Sequence, residues 1–543
     1  MTIYQKTSVE PLHKQKGQQS SFLLLLVLAC LLEVLCLGIV ALSPLPALHL
    51  SETPLELFWT WTLAPAHLLL VVLPVLLDSS SLLPALLLGL MFVGMITIYG
   101  LIVALVIRRA APGSWKWFWF FLGGTLLFGV TLLFLPRLFS DDIFTYMFSG
   151  RILAIYKADP MNTIPLQFPE DPYLVWVING PETTNIFGPL WLSIAALLAS
   201  VSNSPVISLL LFKGLALFSH LLNCLLVWAI LGRLSPGRQV LGTLLYAWNP
   251  LVLIELAGSG HSEGVLLTLL LLVVWLHLQK DGPLSHIGSL VVFGLAVSVN
   301  LIALLLAPLY LWFVVRSQRL ISRALLAFVW RFLVLLIPFI AIMLPYWRGP
   351  STFFAITSAI DMEHFVHSPA GLLALAMRWF FQAVALWWNF PSFLQPITAA
   401  DMTLRSSATF IFILIYLHTF SLVRSAPLSL ASPQSDPEER VPGFDALLRA
   451  WAGAIFWYLI LVSGWFWPWY VLWMFWIIVL RRLDTFSITI LLLSGTALFI
   501  YPFVGFSRAP LATYQTALIF GIPLVYLIVA HIKQRSVERI PTS

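Results

Sequence analysis

Apolar runs of 18 or more residues recur along almost the whole chain. Each is long enough to cross a hydrocarbon core about 30 Å thick. In lipid the backbone must satisfy its own hydrogen bonds, so a spanning segment is either a helix or a strand of a closed barrel. Barrel strands are about ten residues long and alternate in polarity, and these runs do neither. The fold class read from the sequence is therefore all-α, a polytopic helical membrane protein. A length of 543 residues alone would suggest several soluble domains. With 60% hydrophobic and 10% charged residues, no polar stretch reaches soluble-domain size.

The charges set the topology. A net charge of +6 does not point to nucleic acid, because the basic residues sit in short clusters between apolar runs. Arg108/Arg109/Lys116, Arg233/Arg238, Lys280, Arg316/Arg319/Arg323, Arg424, Arg481/Arg482 and Lys533/Arg535/Arg539 are expected on the cytoplasmic side. Threading crossings between them gives about 13–15 spans, from 21–42 to 513–531, with both termini inside. The run 21–42 exceeds a signal-peptide core and contains Glu33, so it reads as a retained first span. Residues 58–77 break the parity if counted, and Pro65, Pro74 and Pro84 interrupt the region. They read as re-entrant or interfacial. Cys30, Cys36 and Cys224 all lie in apolar runs and form neither a disulfide framework nor a metal-spaced pair.

That parity puts a large first loop, 137–205, on the outer side. Its apolar end, "FGPLWLSIAALLAS" (187–200), cannot cross if Arg233 is inside, and is expected to lie on the outer surface. The clusters "GSGHSEG" (258–264), "PYWRGP" (345–350), "DMEHFVHS" (361–368) and "WFWPWY" (465–470) fall on the same side. The polar piece 426–445 reads as a linker. The organisation expected is N-terminal spans over 1–116, a catalytic membrane module over 117–346, and C-terminal spans and loops over 347–543.

In a chain with so few charges, "LFSDDIFTYMFSGRILAIYKADP" (138–160) stands out. Asp141 and Asp142 follow directly on an apolar run, with Tyr146 one helical turn on and Arg151 beyond. The acids could simply cap a helix, with Ser140 as N-cap. That accounts for one acid but not for the pair with Tyr146, Gly150 and Arg151. The functional reading is a general base at the water–lipid boundary, taking a proton from an acceptor hydroxyl that attacks an activated sugar carbon. Its leaving group would be a lipid phosphate, which needs cationic or hydrogen-bonding help.

Partners are at hand. His261 and Glu263 flank Ser262 in a Gly-rich turn, either as an idle polar loop or as acceptor-binding groups. One His and one Glu are too few to define a metal site, so no cofactor is fixed and a divalent metal stays open. Lys213 lies inside a span, where a cation is costly unless it has a function or snorkels out. Trp465, Trp467, Trp469 and Tyr470 read as an interfacial aromatic belt rather than a sugar platform.

These residues together resemble the GT-C superfamily of membrane glycosyltransferases, and most of all the bacterial polyprenyl-phosphate-mannose-dependent α-mannosyltransferases. The matching stretches are "SDDIFTYMFSGRILAIYKADP", "FGPLW" (187–191), "FKGLALFSHLLN" (212–223), "WNPLVLIELAGSGHSEGVLLTLL" (248–270), "LPYWRG" (344–349) and "FWPWYVLW" (466–473), in the family's order. The resemblance implies an inverting enzyme with its catalytic carboxylate in the first outer loop, best matched by Asp142; Asp141 is expected to orient that base or the acceptor. It implies a polyprenyl-phosphate-linked sugar donor, mannose by resemblance, and a glycan or lipid-linked acceptor at the outer face of the plasma membrane. Tyr146, Arg151, Lys213, His261 and Glu263 are the substrate-binding candidates, with Lys213 and Arg151 for the donor phosphate. Glu263 stands where the family usually has Asp, and Asn300 where a Lys is common. A rival from another class is a transporter or flippase of a lipid-linked sugar. Such proteins often show inverted repeats, and none is visible here. A third is a structural subunit with a degenerate site.

Overall fold

A computed structural model describes residues 12–45, 60–72, 82–109, 114–135, 139–177, 180–184, 187–279, 283–318, 320–350, 367–388, 395–428, 443–506 and 509–538, with positions 74, 352 and 441. Most of the "DMEHFVHS" cluster, most of the 426–445 linker and Lys280 lie outside the described residues. The described residues are mostly helical, as the apolar runs require. Among the described residues, eight helices are long and apolar enough to cross a membrane, the first Phe22–Leu42 and the last Gln515–Gln534. A ninth candidate is bent by 49° between Pro236–Ala247 and Pro250–Gly258. Shorter apolar helices, such as Glu263–His277 and Leu284–Val299, fall where the sequence suggests short spans.

Among the described residues, thirteen α-helices build the part of the chain up to Met343, which carries the acids. They are α1 (Leu12–Leu42), α2 (Thr60–Val72), α3 (Leu83–Arg109), α4 (Trp115–Leu132), α5 (Asp142–Ala154), α6 (Pro189–Ala199), α7 (Pro205–Leu234), α8 (Gln239–Ala247), α9 (Pro250–Val252), α10 (Glu263–His277), α11 (Pro283–Val299), α12 (Ala307–Val315) and α13 (Ile321–Met343). The described part of α2 is 13 residues. Eleven-residue α6 is too short to cross, since a crossing takes about 20, and it packs on α5. The contact is close because Gly150 has no side chain. A Cβ there would lie 2.3 Å from the carbonyl oxygen of Ala195. Gly188 serves the "FGPLW" turn in the same way, with the Ser298 carbonyl 2.2 Å from where its Cβ would be.

The bend after α8 positions the chemistry. Pro250 lacks an amide hydrogen, so the helix cannot run through unbroken. Asn249 restarts it: its side chain accepts from the Leu251 and Val252 amides, and its amide nitrogen donates to Ser494 Oγ at 3.0 Å. The new segment then widens into a π-helical turn, Leu253–Gly258, a device that often marks functional sites. Gly260 follows at φ +75°, a left-handed conformation that Gly adopts without strain. The chain thereby reverses into α10 and leaves residues 259–263 at the mouth of α5.

Packing locks this corner. The Trp248 indole donates to the Phe121 carbonyl of α4 at 2.9 Å, and Tyr99 of α3 donates to the Leu245 carbonyl at 2.9 Å. Lys213 of α7 is buried, with its ammonium on the Leu132, Leu133 and Leu135 carbonyls. Leu132 ends α4 and Leu133 and Leu135 follow it, where the chain leaves carbonyls without partners inside the helix. The lysine that the sequence offers as a phosphate ligand thus finishes α4.

Candidate functional site

The pair that opens the question separates in the structure. Asp141 is the N-cap position of α5, but its side chain makes no cap hydrogen bond. Ser140, the sequence's N-cap candidate, instead accepts from the Asp142 amide at 3.2 Å. Asp141 is 5% exposed, whereas the Asp142 carboxyl keeps 29% exposure. Of the two acids, Asp142 is the one with solvent access, and a cleft for substrate would open there.

Around Asp142 the bend and the α10 start deliver three more ionisable groups. His261 Nδ1 lies 3.6 Å from Asp142 Oδ2 and 3.9 Å from Glu263 Oε2. On the far side of the ring, Nε2 lies 3.2 Å from Glu255 Oε2. The His261 ring is fully buried and stacks on Trp469, with centroids 4.1 Å apart. Glu263 accepts from the Trp473 indole at 3.4 Å, and Ser262 Oγ donates to it at 3.4 Å. Trp469 and Trp473 are buried, unlike the interfacial belt expected, and form the wall of this cluster. Trp467 stacks outward from Trp469 at 5.4 Å, and Trp465 is exposed.

Desolvation is the largest influence on Asp142 and raises its carboxyl. The His261 charge opposes this, while Asp141, Glu263 and Glu255 add to it, leaving the group at about 7. His261 itself is pulled down by burial, but the carboxylates around it win and its proton is held more tightly than usual. The result is a carboxylate that exchanges a proton near neutrality beside a ring that favours its cationic form.

The other sequence candidates are arranged one step back. Tyr146 is buried, its hydroxyl 3.5 Å from Ser262 Oγ, and its ring meets Phe187 and Trp191 edge-on. The "FGPLW" motif is thus the packing surface of Tyr146. Arg151 is not at the cleft. It is held by Asp171 at 2.9 Å, and its guanidinium lies 4.1 Å over the Tyr173 ring. Asp171 also accepts from Tyr156 at 2.8 Å, so this knot folds the outer loop. Asn300, where the family commonly has Lys, accepts from the Ile302 amide at 3.0 Å and starts a turn beside Gly188. Among the described residues no group of three His, Cys, Asp or Glu side chains is placed to hold a metal ion.

Sequence reasoning missed Glu255. It lies inside the run assigned to the span 240–257 and is 0% exposed. Its other oxygen accepts from Tyr501 at 2.6 Å, and Tyr501 was not singled out either. The available signal was the acid itself, since an ionisable group within an apolar span marks function by default.

Comparison with known proteins agrees with the motifs. Residues 61–316 match the family model described as alpha-(1->6)-mannopyranosyltransferase, N-terminal domain. Alpha-(1->6)-mannopyranosyltransferase A of Mycobacterium tuberculosis is 26% identical over 205 residues, which is 36% of this chain and 37% of that protein. The matched stretch is thus little over a third of that relative's length. No solved structure matches. The resemblance to GT-C mannosyltransferases read from the motifs is borne out. The family match contains the first four motifs, Asp142 and the 255–263 corner, and ends before "LPYWRG" and "FWPWYVLW".

Proposed function

We propose that this chain is an inverting α-mannosyltransferase that moves mannose from a polyprenyl-phosphate donor to a glycan or lipid-linked acceptor, with Asp142 as general base. The observation that carries the reading is the cluster of Asp142, His261 and Glu263 beside a wall of buried tryptophans. Asp142 is its partly exposed member, poised to ionise near neutral pH.

In the proposed step the acceptor hydroxyl oxygen attacks the anomeric carbon of the donor sugar. The bond from that carbon to the phosphate oxygen breaks, and the electron pair leaves with polyprenyl phosphate. The hydroxyl proton passes to Asp142 Oδ. Attack and departure on opposite faces invert the anomeric centre, as in inverting glycosidases with the sugar hydroxyl in place of water. Glu263, buried beside His261 and braced by Trp473 and Ser262, is the acceptor-side group. Tyr146 backs Ser262, and Asp141 occupies the N-cap position of α5 behind Asp142. Arg151 and Lys213 are engaged by Asp171 and by the α4 carbonyls, so donor-phosphate recognition belongs to other groups in this reading. The cleft is assigned to the outer face of the plasma membrane because the basic clusters at the opposite loop ends belong inside.

The test is transfer of radiolabelled mannose from polyprenyl-phosphate-mannose in membranes containing wild type or Asp142→Asn at matched expression. Transfer by wild type and its loss by about a hundredfold or more in the variant is the expected result. Transfer by both would remove Asp142 from the mechanism. An inactive wild type, with the donor intact, would remove mannose as the sugar.

A further inference from the structure

The buried arm of the cluster goes beyond that mechanism. We infer that Glu255 is a positioning residue: anchored by Tyr501, its carboxylate holds the His261 ring with Nδ1 toward Asp142 and keeps that ring cationic, so that Asp142 stays in its base form. The inference rests on Asp142 being the base.

Four observations lead there. Glu255 is 0% exposed within an apolar segment, where an unpaired carboxylate would be severely destabilising. One oxygen accepts from Tyr501 at 2.6 Å, and the other lies 3.2 Å from His261 Nε2, an ionic approach without hydrogen-bond geometry. The π-helical turn that carries Glu255 and the left-handed Gly260 return the chain so that His261 faces back onto the same turn. Trp469 covers a face of the imidazole at 4.1 Å, which blocks its rotation.

The charge follows from the surroundings. The titratable groups facing His261 are Glu255 from the π turn, Asp142 from α5 with Asp141 behind it, Glu263 from α10, and Tyr501 beyond Glu255. The Lys213 stem passes Gly260, but its ammonium is held by the α4 carbonyls. Among the described residues neither ring nitrogen makes a hydrogen bond, and carboxylate oxygens lie near both. A proton on each nitrogen meets an anion on each side. A neutral ring would turn a lone pair toward one of them.

The sign of the effect can be worked out. Replacing Glu255 by Gln removes the anion on Nε2, so His261 loses its second proton at lower pH. Asp142 then lacks the neighbouring cation and binds its own proton at higher pH. Loss of the Glu255 charge acts on Asp142 the other way, but Glu255 lies across the ring, whereas His261 is 3.6 Å away. The ring's charge therefore decides.

The experiment is the pH profile of mannose transfer, with polyprenyl-phosphate-mannose as donor, for wild type and Glu255→Gln in the full-length protein. The acid limb is expected to move up by about one pH unit, which is about a tenfold loss of transfer at pH 6.5 and near-recovery at pH 8.5. A uniform loss at every pH, or an unmoved limb, would overturn the inference, since a merely structural role lowers activity without shifting it. Histidine ¹⁵N resonances give a readout without turnover. The signal assigned to His261 by its absence in His261→Gln should titrate about a unit lower in Glu255→Gln, and an unchanged titration would overturn the inference. Asp142→Asn, assayed alongside, reads the base assignment by itself. If it transfers like wild type, that assignment fails and the imidazole titration alone judges Glu255. If Glu255→Gln does not fold, Tyr501→Phe takes its place, with a shift in the same direction expected and an unmoved limb and titration counting against the inference.

Discussion

Asp142 binds its proton tightly because the folded chain places it among other acids and takes most of its carboxyl out of bulk water. The folded group sits at about 7, raised first by desolvation. Two consequences follow with opposite sense. Transfer should rise with pH through about 7, as the carboxylate form fills. Stability should move the other way. A carboxyl raised on folding makes the folded state bind more protons than the unfolded one, so its ionisation destabilises as pH climbs from about 4 through 7. Asp142→Asn is free of this, so its thermal midpoint should exceed that of wild type at pH 8 and equal it near pH 4. A variant no more stable at pH 8 than at pH 4, relative to wild type, would show that Asp142 is not raised. At this scale the sequence was partly legible. Asp141, Asp142, His261 and Glu263 are polar residues directly beside apolar runs, and they can be found by eye. Glu255 lies inside such a run and was averaged away, because its partners are six residues on at His261 and far away at Tyr501. No local pattern reveals a contact of that kind.

Among the elements, glycines decide how close the backbones come. Gly150 lets α5 lie on α6 with no atom between the two backbones, and α6 in turn supplies Trp191 against Tyr146. A Cβ at 2.3 Å from a backbone oxygen cannot be relieved by a rotamer change. Gly150→Val is therefore expected to push α6 away and to cost about 1–3 kcal/mol or more, the range for overpacked cores. The check is a lower thermal midpoint in detergent together with loss of transfer. Gly214, on the open side of α7 with nothing within 4 Å of its would-be Cβ, should accept Ala without loss. The same scale explains Lys213. A cation in a span reads as functional from sequence, but here it gathers the last carbonyls of α4. Lys213→Met is expected to lower stability and yield, while the donor KM of the protein that does fold stays near wild type. A large rise in donor KM with unchanged stability would return Lys213 to the phosphate. Helix identity was legible because length and hydropathy fix it. The bend at Asn249-Pro250 was legible only as a Pro, since the π turn after it depends on how Asn249, Ser494 and Tyr501 meet in three dimensions.

At the scale of the whole molecule, the site needs both ends of the chain. Asp142, His261 and Glu263 lie within the stretch that matches the mannosyltransferase family, but Trp469, Trp473 and Tyr501, which brace them, lie far beyond it. The helix Leu472–Leu480 carries Trp473 at its site end and leads at its other end to Arg481, about 12 Å away at 1.5 Å per residue. Arg481 is 2% exposed and ties three segments: it donates to Asp445 at 2.9 and 3.1 Å and to Asp484 at 3.0 Å. Arg238, just before α8, reaches the carbonyls of Leu480 and Arg481 and joins this knot to the family-matching half. Breaking a buried pair by removing one partner typically costs 3–5 kcal/mol, because the other charges are left behind. Since Asp445 and Asp484 are partly exposed, the lower end of that range applies. Arg481→Gln is therefore expected to unfold at markedly lower temperature, and Arg481→Lys should recover little, because an ammonium cannot serve two carboxylates in the fork geometry of a guanidinium. Transfer per folded molecule should stay within about threefold of wild type, because the knot lies at the end of the helix away from the cleft and touches no reacting group. Size-exclusion profiles and transfer rates on the same preparations separate the two quantities. A variant with normal stability but abolished transfer would mean that this end of the molecule takes part in the chemistry, and that the cleft at Asp142 is not the whole site.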